Sequence, residues 1–279
     1  MPSDHLPADH LPADHLPADY HQHTPLCRHA TGTPEEFVAQ ALALGLPEIG
    51  FSDHNPMPTE FDDWRMLRSE LPEYFAWVQR ARIAAANRIP VRLGLEVDWL
   101  AGAEPWIDEL TAMAPWDYLI GSVHYLGSWN FDNPKLASGF DAMGTAEAWD
   151  RYWHHFAQAA RSGRFDLMAH PDLIKKFGHR PPGDLRRWYE PAIAAVAESG
   201  TAIELNTAGL FKDVREMYPA PLFLELARKA GIPLAISSDA HAPGECGRAF
   251  TEAIALARNA GYTELVRFSQ RQRTTVPIG

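Results

Sequence analysis

The sequence predicts an α/β protein built as a parallel barrel, and three observations predict it. Short strand-like runs alternate with helical patterns about seven times along the 279-residue chain, which favours a parallel barrel over a sandwich. The runs Val91-Arg-Leu-Gly-Leu-Glu-Val97 and Ile232-Pro-Leu-Ala-Ile-Ser-Ser238 are apolar enough for strands buried on both faces. Seven histidines and two carboxylates fall at or just beyond the ends of such runs, on the face where a parallel barrel builds its active site.

Taken in order, the strands are predicted over 19–22, 48–53, 91–97, 117–123, 165–169, 201–206 and 232–237. Thr33-Pro34-Glu35-Glu36 supplies an N-cap, a proline at the first helical position and the glutamate of a capping box. Phe37, Ala41 and Leu44 then line one helix face, and Gly45 closes the helix. The stretch 125–144, with its Gly, Asn and Pro, reads as a long loop inserted after the fourth strand. Thr145 to Ser162 reads as a helix with Trp149, Trp153, Phe156 and Ala160 at core spacing, and a further helix near 219–230 ends at Gly231.

Ahead of this pattern, Asp-His-Leu-Pro-Ala repeats from Asp4, Asp9 and Asp14. A proline every fifth residue forbids a continuous helix, so residues 1–18 are expected to be an extended or disordered leader. Its His5, His10 and His15 are kept apart from the ligand set. Residues 19–279 then read as one barrel domain without an internal boundary.

Hydrophobic content of 46% allows a sizeable core. No apolar stretch approaches the roughly 18 residues of a membrane span, and neither a basic n-region nor an apolar h-region opens the chain. No membrane partner and a cytoplasmic location are expected. The formal charge of −11 argues against a basic nucleic-acid-binding surface. It leaves room for a small phosphorylated substrate, because bound dications invert the local potential. Two cysteines, Cys27 and Cys246, cannot make a disulfide framework. Cys27 lies within the histidine-rich N-terminal segment, although a small buried thiol is the commoner role for a lone cysteine.

The candidate ligands are His21, His23, His29, His54, Glu96, His124, His170, Asp239 and His241. Imidazole and carboxylate are what borderline divalent metals prefer, and nine such groups exceed the needs of one ion. Two or three metal ions are the natural reading. His21 and His23, at i and i+2, project to one face of a strand, and Asp239 and His241 repeat that spacing. Glu96 offers a carboxylate able to bridge two ions. His154 and His155 fall mid-helix and His179 in a loop, so they read as bystanders.

These segments resemble the motifs of the polymerase-and-histidinol-phosphatase (PHP) superfamily. The resemblance is carried by His21-Gln-His23, Ser52-Asp-His54, Gly94-Leu-Glu96, Ser122-Val-His124, His170-Pro-Asp172 and Ser238-Asp-Ala-His241, in order from about residue 19 to 250. Within it, His23-Thr-Pro-Leu-Cys-Arg-His29, Asp172-Leu-Ile-Lys-Lys-Phe-Gly178, Asn206-Thr-Ala-Gly-Leu210 and Tyr218-Pro219 resemble the stand-alone histidinol-phosphatases. The resemblance implies a distorted seven-stranded, TIM-like (β/α)7 barrel with a trinuclear centre of zinc, iron or manganese. It implies hydrolysis of L-histidinol phosphate to L-histidinol and phosphate, in histidine biosynthesis. It also implies that His21, His23, Glu96 and Asp239 hold one metal, that Glu96 bridges to a second held by His124 and His170, and that His29, His54 and His241 hold the third. The repeated leader and the mid-chain loop depart from the pattern and leave the substrate contacts open.

The expected nucleophile is a hydroxide bridging the metals at Glu96 and Asp239, since a metal-shared water loses its proton near neutral pH. No seryl or cysteinyl nucleophile and no Gly-rich phosphate loop compete with it. For the phosphate, the loops after the fifth and sixth strands offer Lys175, Lys176, Lys212 and Arg215, with Arg215 and then Lys176 preferred. The leaving oxygen could take its proton from Asp98, Asp172 or metal-bound water. Trp99, Trp106, Trp116, Tyr125 and Trp129 are candidates to stack on the imidazole of the substrate. A monomer or small homo-oligomer is expected. The rivals are another PHP-type metal-dependent phosphoesterase acting on a different small phosphate ester, an amidohydrolase, which also opens with His-x-His but bridges its metals through lysine, and a non-catalytic metal carrier.

Overall fold

The computed structural model describes residues 16–278, so His5, His10 and His15 lie outside the described residues, whereas Leu16, Pro17 and Ala18 of the last repeat lie within them, with Ala18 buried in the inner core. Its centre is a curled, six-stranded parallel sheet. The strands are β1 (Ile49–Phe51), β2 (Val91–Asp98), β3 (Tyr118–Ser122), β6 (Leu167–Met168), β7 (Ala202–Asn206) and β8 (Leu234–Ser237), in that spatial order. Between β3 and β6 comes a small antiparallel hairpin, β4 (Tyr125–Leu126) and β5 (Trp129–Asn130). Glu264–Ser269 (β9) and Gln272–Pro277 (β10) form a second hairpin at the C-terminus.

Six of the seven predicted strands coincide with these parallel strands. The first, over 19–22, makes single parallel bridges instead of a ladder: Asp19 to Ile49 on one side and Gln22 to Ala240 on the other. Gly50 N–H donates to the Asp19 carbonyl at 2.8 Å and His23 N–H to the Ala240 carbonyl at 2.9 Å. The segment therefore touches both edges of the six-stranded sheet.

The helices are α1 (Pro34–Leu44), α2 (Leu71–Ala85), α3 (Glu104–Met113), α4 (Gly139–Met143), α5 (Thr145–Arg161), α6 (Arg186–Ser199), α7 (Pro221–Lys229) and α8 (Phe250–Asn259). At the start of α1, Thr33 Oγ1 accepts from Glu36 N–H at 3.3 Å while Thr33 N–H donates to Glu36 Oε2 at 2.8 Å. Such a reciprocal cap stabilises a helix by about 1 kcal/mol. The predicted helices at 145–162 and 219–230 are α5 and α7. The insertion 125–144 is more ordered than a loop, holding β4, β5 and α4. None of these helices is long and apolar enough to cross a membrane among the described residues.

Inside the curled sheet, Tyr20, Tyr118, Ile120, Leu167, Ala202 and Ala235 pack together with Val266 and Phe268 of β9. The Tyr118 ring fits because Gly50 and Gly94 face it; a Cβ on either would collide with that ring. Phe268 N–H donates to the Tyr20 hydroxyl at 3.1 Å, and Arg271 N–H to the Asp117 carbonyl at 2.9 Å. The C-terminal hairpin thus plugs one end of the sheet's interior, at the N-terminal ends of its strands. The opposite end is left for the polar groups.

Candidate metal centre

All nine predicted ligands gather at the C-terminal ends of the parallel strands. Glu96, in β2, lies at their centre and is 1% exposed. Its two oxygens face different histidines. Oε2 lies 2.7 Å from His54 Nδ1, 3.3 Å from His21 Nε2 and 3.7 Å from His23 Nε2. Oε1 lies 3.0 Å from His170 Nε2 and 3.6 Å from His124 Nε2. Asp239 Oδ1 adds contacts of 3.1 Å to His23 Nε2 and 3.7 Å to His21 Nε2. The His23 and His241 rings stack with centroids 4.1 Å apart, and His29 stacks on His241 at 4.7 Å.

Most of these imidazoles are held from behind through Nδ1. His21 Nδ1 lies 2.8 Å from Glu204 Oε1, His23 Nδ1 3.4 Å from Asp53 Oδ1 and His124 Nδ1 2.6 Å from Asp98 Oδ1. His29 and His241 use backbone carbonyls instead, of Cys27 at 2.7 Å and Asp239 at 3.0 Å. An acceptor at Nδ1 fixes the tautomer that leaves Nε2 free with its lone pair, which is how metal-binding histidines are oriented. The carboxylates are tied in turn. Asp53 accepts from Thr24 N–H at 3.2 Å and from the Thr24 hydroxyl, and Asp98 from Arg65 Nη2 at 2.6 Å.

The donor set fits divalent metal. His21 Nε2 and His170 Nδ1 are buried without a hydrogen-bond partner among the described residues. Ligand atoms of His21, Glu96 and His170, of His21, His23 and Asp239, and of His23, His54 and His241 come within 4.8 Å of one another. Buried imidazole nitrogens and carboxylates at this density satisfy one another poorly by hydrogen bonding alone, and satisfy a cation well.

The electrostatics agree. Burial alone would raise the Glu96 carboxyl, but His54, His21 and His124 hold it well below the usual range. Burial likewise opposes a charge on His23 and His124. The carboxylates of Asp239 and Asp53 on the first, and of Asp98 and Glu96 on the second, nevertheless push each up to about 9. In the absence of a cation the site draws protons to these positions. Cys27 lies within reach of His29 and His241, and burial pushes its thiol up to about 12.

A cavity of about 580 Å³ opens over the cluster. His29, His54, Glu96, His124, His170, Asp239 and His241 line it, and so do Arg28, Lys135, Lys176, Lys212 and Arg248. Lys176 also donates to Asp132 Oδ1 at 2.6 Å. Arg215, in the loop after β7, is exposed and outside the lining. Lys175 is buried away from the cavity against Asp172 at 3.0 Å and Glu216 at 2.5 Å. The five aromatics expected near the substrate also lie outside the lining; Trp99, Trp106 and Trp116 are core. Trp64 lines the cavity instead, edge-on to His54 at 4.5 Å, with its Nε1–H donating to the Tyr125 hydroxyl at 2.9 Å. His154 and His155 sit on α5, and His179 stacks on Phe140 at 4.1 Å, all outside the lining.

Sequence reasoning missed Glu204 and Asp53. The available signal was their placement: Glu204 shares the inward face of its strand with Ala202 and Asn206, where an unpaired carboxylate has no place.

Comparison with known proteins agrees with this geometry. The PHP domain matches residues 19–208. The chain is 46% identical over 242 residues to the "Probable histidinol-phosphatase" of Deinococcus radiodurans, covering 86% of this chain and 92% of that one. It is 27% identical over 264 residues to the histidinol-phosphatase of Bacillus subtilis, covering 82% and 95%. The crystal structure of histidinol phosphate phosphatase from Lactococcus lactis subsp. lactis, complexed with zinc, L-histidinol and phosphate, shares the fold. It has a TM-score of 0.80 at 23% identity, covering 92% of this chain and 98% of that chain. With the matched segment spanning the candidate ligands from His21 to His170, and a relative this similar along most of its length, the chain belongs to the PHP domain family.

Proposed function

We propose that this protein is a metal-dependent phosphomonoesterase that hydrolyses L-histidinol phosphate to L-histidinol and phosphate. One observation carries the reading: six imidazoles converge on Glu96 and Asp239, with a seventh, His29, stacked on His241, at the base of a cavity that also holds several cationic side chains. The relatives named histidinol-phosphatase support the substrate, and the proposed place of the reaction is histidine biosynthesis.

Two or three divalent ions, zinc, iron or manganese, are the proposed cofactors. His21, His23, Glu96 and Asp239 would hold one, Glu96, His124 and His170 a second, and His29, His54 and His241 a third. That the two Glu96 oxygens face different histidines supports its bridging role. Such ions supply a hydroxide nucleophile at neutral pH and neutralise phosphoryl charge. The segment 19–23, which touches both sheet edges, acts in this reading as the seventh stave of a closed, distorted barrel and delivers two of the ligands.

The chain's own residues divide the remaining work. Asp98, Glu204 and Asp53 orient imidazoles. Lys176, with Lys212 and Arg248, faces the phosphoryl group as cations that strengthen as charge develops. Arg215 has no place in this reading. For the other end of the substrate, Asp63 lines the cavity without an ion pair or hydrogen bond among the described residues. It would meet the ammonium, with the neighbouring Trp64 edge beside the imidazole.

Glu96→Gln tests the reading. The expected result is loss of bound metal together with loss of phosphate release. Full metal content with normal turnover would sink it, and faster turnover of another phosphate ester by the wild type would replace the substrate but keep the chemistry.

A further inference from the structure

Breaking the ester P–O bond of an alkyl phosphate releases an alkoxide, a strong base whose departure is helped by a positioned proton donor. The two carboxyls that the sequence offers for this task are engaged elsewhere. Asp98 is bound by His124 and by Arg65 at 2.6 Å each. Asp172 accepts from Ala220 N–H at 2.8 Å and from the Tyr189 hydroxyl at 3.3 Å, and lies outside the cavity lining.

Tyr218 is placed differently. It lines the cavity, is 1% exposed, and its hydroxyl has no hydrogen-bond partner among the described residues. A buried hydroxyl left unsatisfied is costly, and tyrosine hydroxyls normally find a partner when buried. The residue is also rigidly held. Its N–H donates to the Asn206 carbonyl at 3.0 Å, and Asn206 N–H donates back at 2.6 Å, pinning the loop to the end of β7. The ring packs over Gly209, where a Cβ would meet it at 3.0 Å. It stands edge-on to His170 with centroids 6.5 Å apart, beside the metal cluster.

We propose that Tyr218 is a catalytic residue whose hydroxyl hydrogen-bonds the ester oxygen and gives its proton to the departing alkoxide. The inference rests on the phosphomonoesterase reading above. The attacking water forms the new P–O bond and gives up one proton. The ester P–O bond breaks with its electron pair on the leaving oxygen, which takes the phenol proton. The tyrosinate then regains a proton from solvent, so the reaction consumes one water and no other reagent.

The test compares Tyr218→Phe with the wild type on two esters, with metal content measured on each preparation. L-Histidinol phosphate expels an alkoxide that needs the proton, whereas p-nitrophenyl phosphate expels a phenolate that leaves without one. The expected result is a fall in kcat of about 100-fold on the first and only a few-fold on the second, with metal content unchanged. An equal fall on both esters, or none on the first, would overturn the role. If the wild type itself turns over neither ester, the phosphomonoesterase reading fails and the role falls with it. Should the Phe variant lose metal, 3,5-difluorotyrosine at position 218 keeps the ring and lowers the phenol pKa. It should then move the alkaline limb of kcat for the alkyl ester to lower pH, and an unmoved limb would overturn the role.

Discussion

His21 and Glu204 form a fully buried pair at the floor of the cluster, Nδ1 to Oε1 at 2.8 Å, on segments 183 residues apart in the chain. Glu204 also accepts from His170 N–H at 2.8 Å and from Asn206 Nδ2 at 2.9 Å, so one carboxylate steers two candidate ligands. Glu204→Gln should therefore weaken metal binding by about 10–100-fold, the usual effect of losing an orienting carboxylate. Titration of the metal-depleted protein with zinc reads this directly, and an unchanged affinity would remove Glu204 from the site.

Asp63→Asn should raise KM for L-histidinol phosphate by about tenfold, the size of one lost charge-assisted contact of roughly 1.4 kcal/mol. A phosphate ester without an amine should be turned over with little change. Equal effects on both esters would show that Asp63 does not meet the ammonium.

The C-terminal hairpin closes the sheet's interior opposite the metal site, with Phe268 2% exposed among Tyr20 and Tyr118. Phe268→Ala should cost about 3–5 kcal/mol of stability in urea unfolding, as for other buried phenylalanines. A cost below 1 kcal/mol would mean that the hairpin merely lies against the sheet.

Glu216 gives a pH test away from the ligands. Partial burial would raise its carboxyl, but Lys175 and Arg180 hold it below the usual range. A folded-state value below the unfolded one contributes stability that is present above about pH 4.5 and is lost as pH falls through the folded value. The wild type should thus exceed Glu216→Gln in urea midpoint at pH 7, and the gap should shrink below pH 4.5. A gap that widens with acid would reverse the assigned shift.

Much of the candidate site was legible because a histidine or carboxylate at a strand end is a local pattern. His54, His124, His170, Asp239 and His241 each follow an apolar run, and the Thr33–Glu36 cap is written in four consecutive residues. What stayed hidden depends on distant partners. Glu204 and Asp53 orient histidines far from them in sequence, and nothing beside them shows which. Arg215 is suitable by loop position alone, whereas which loop side chains reach the cavity depends on the conformation of the loop, and Arg215 is not among them. The strands of the hairpin β4–β5 have two residues each, too few for any period to show. Pro191 inside α6 breaks the helical pattern it interrupts, and β9–β10 departs from the alternation that organises the rest.

The central claim is tested most directly by phosphate release from L-histidinol phosphate, with metal content determined on the same sample and a panel of other phosphomonoesters alongside. The structure and its family predict rapid, chelator-sensitive turnover of histidinol phosphate above the rest of the panel, with two to three metal ions per chain. A protein that carries its metals but leaves histidinol phosphate untouched would contradict the assigned substrate, and one that turns it over fully without metal would contradict the site.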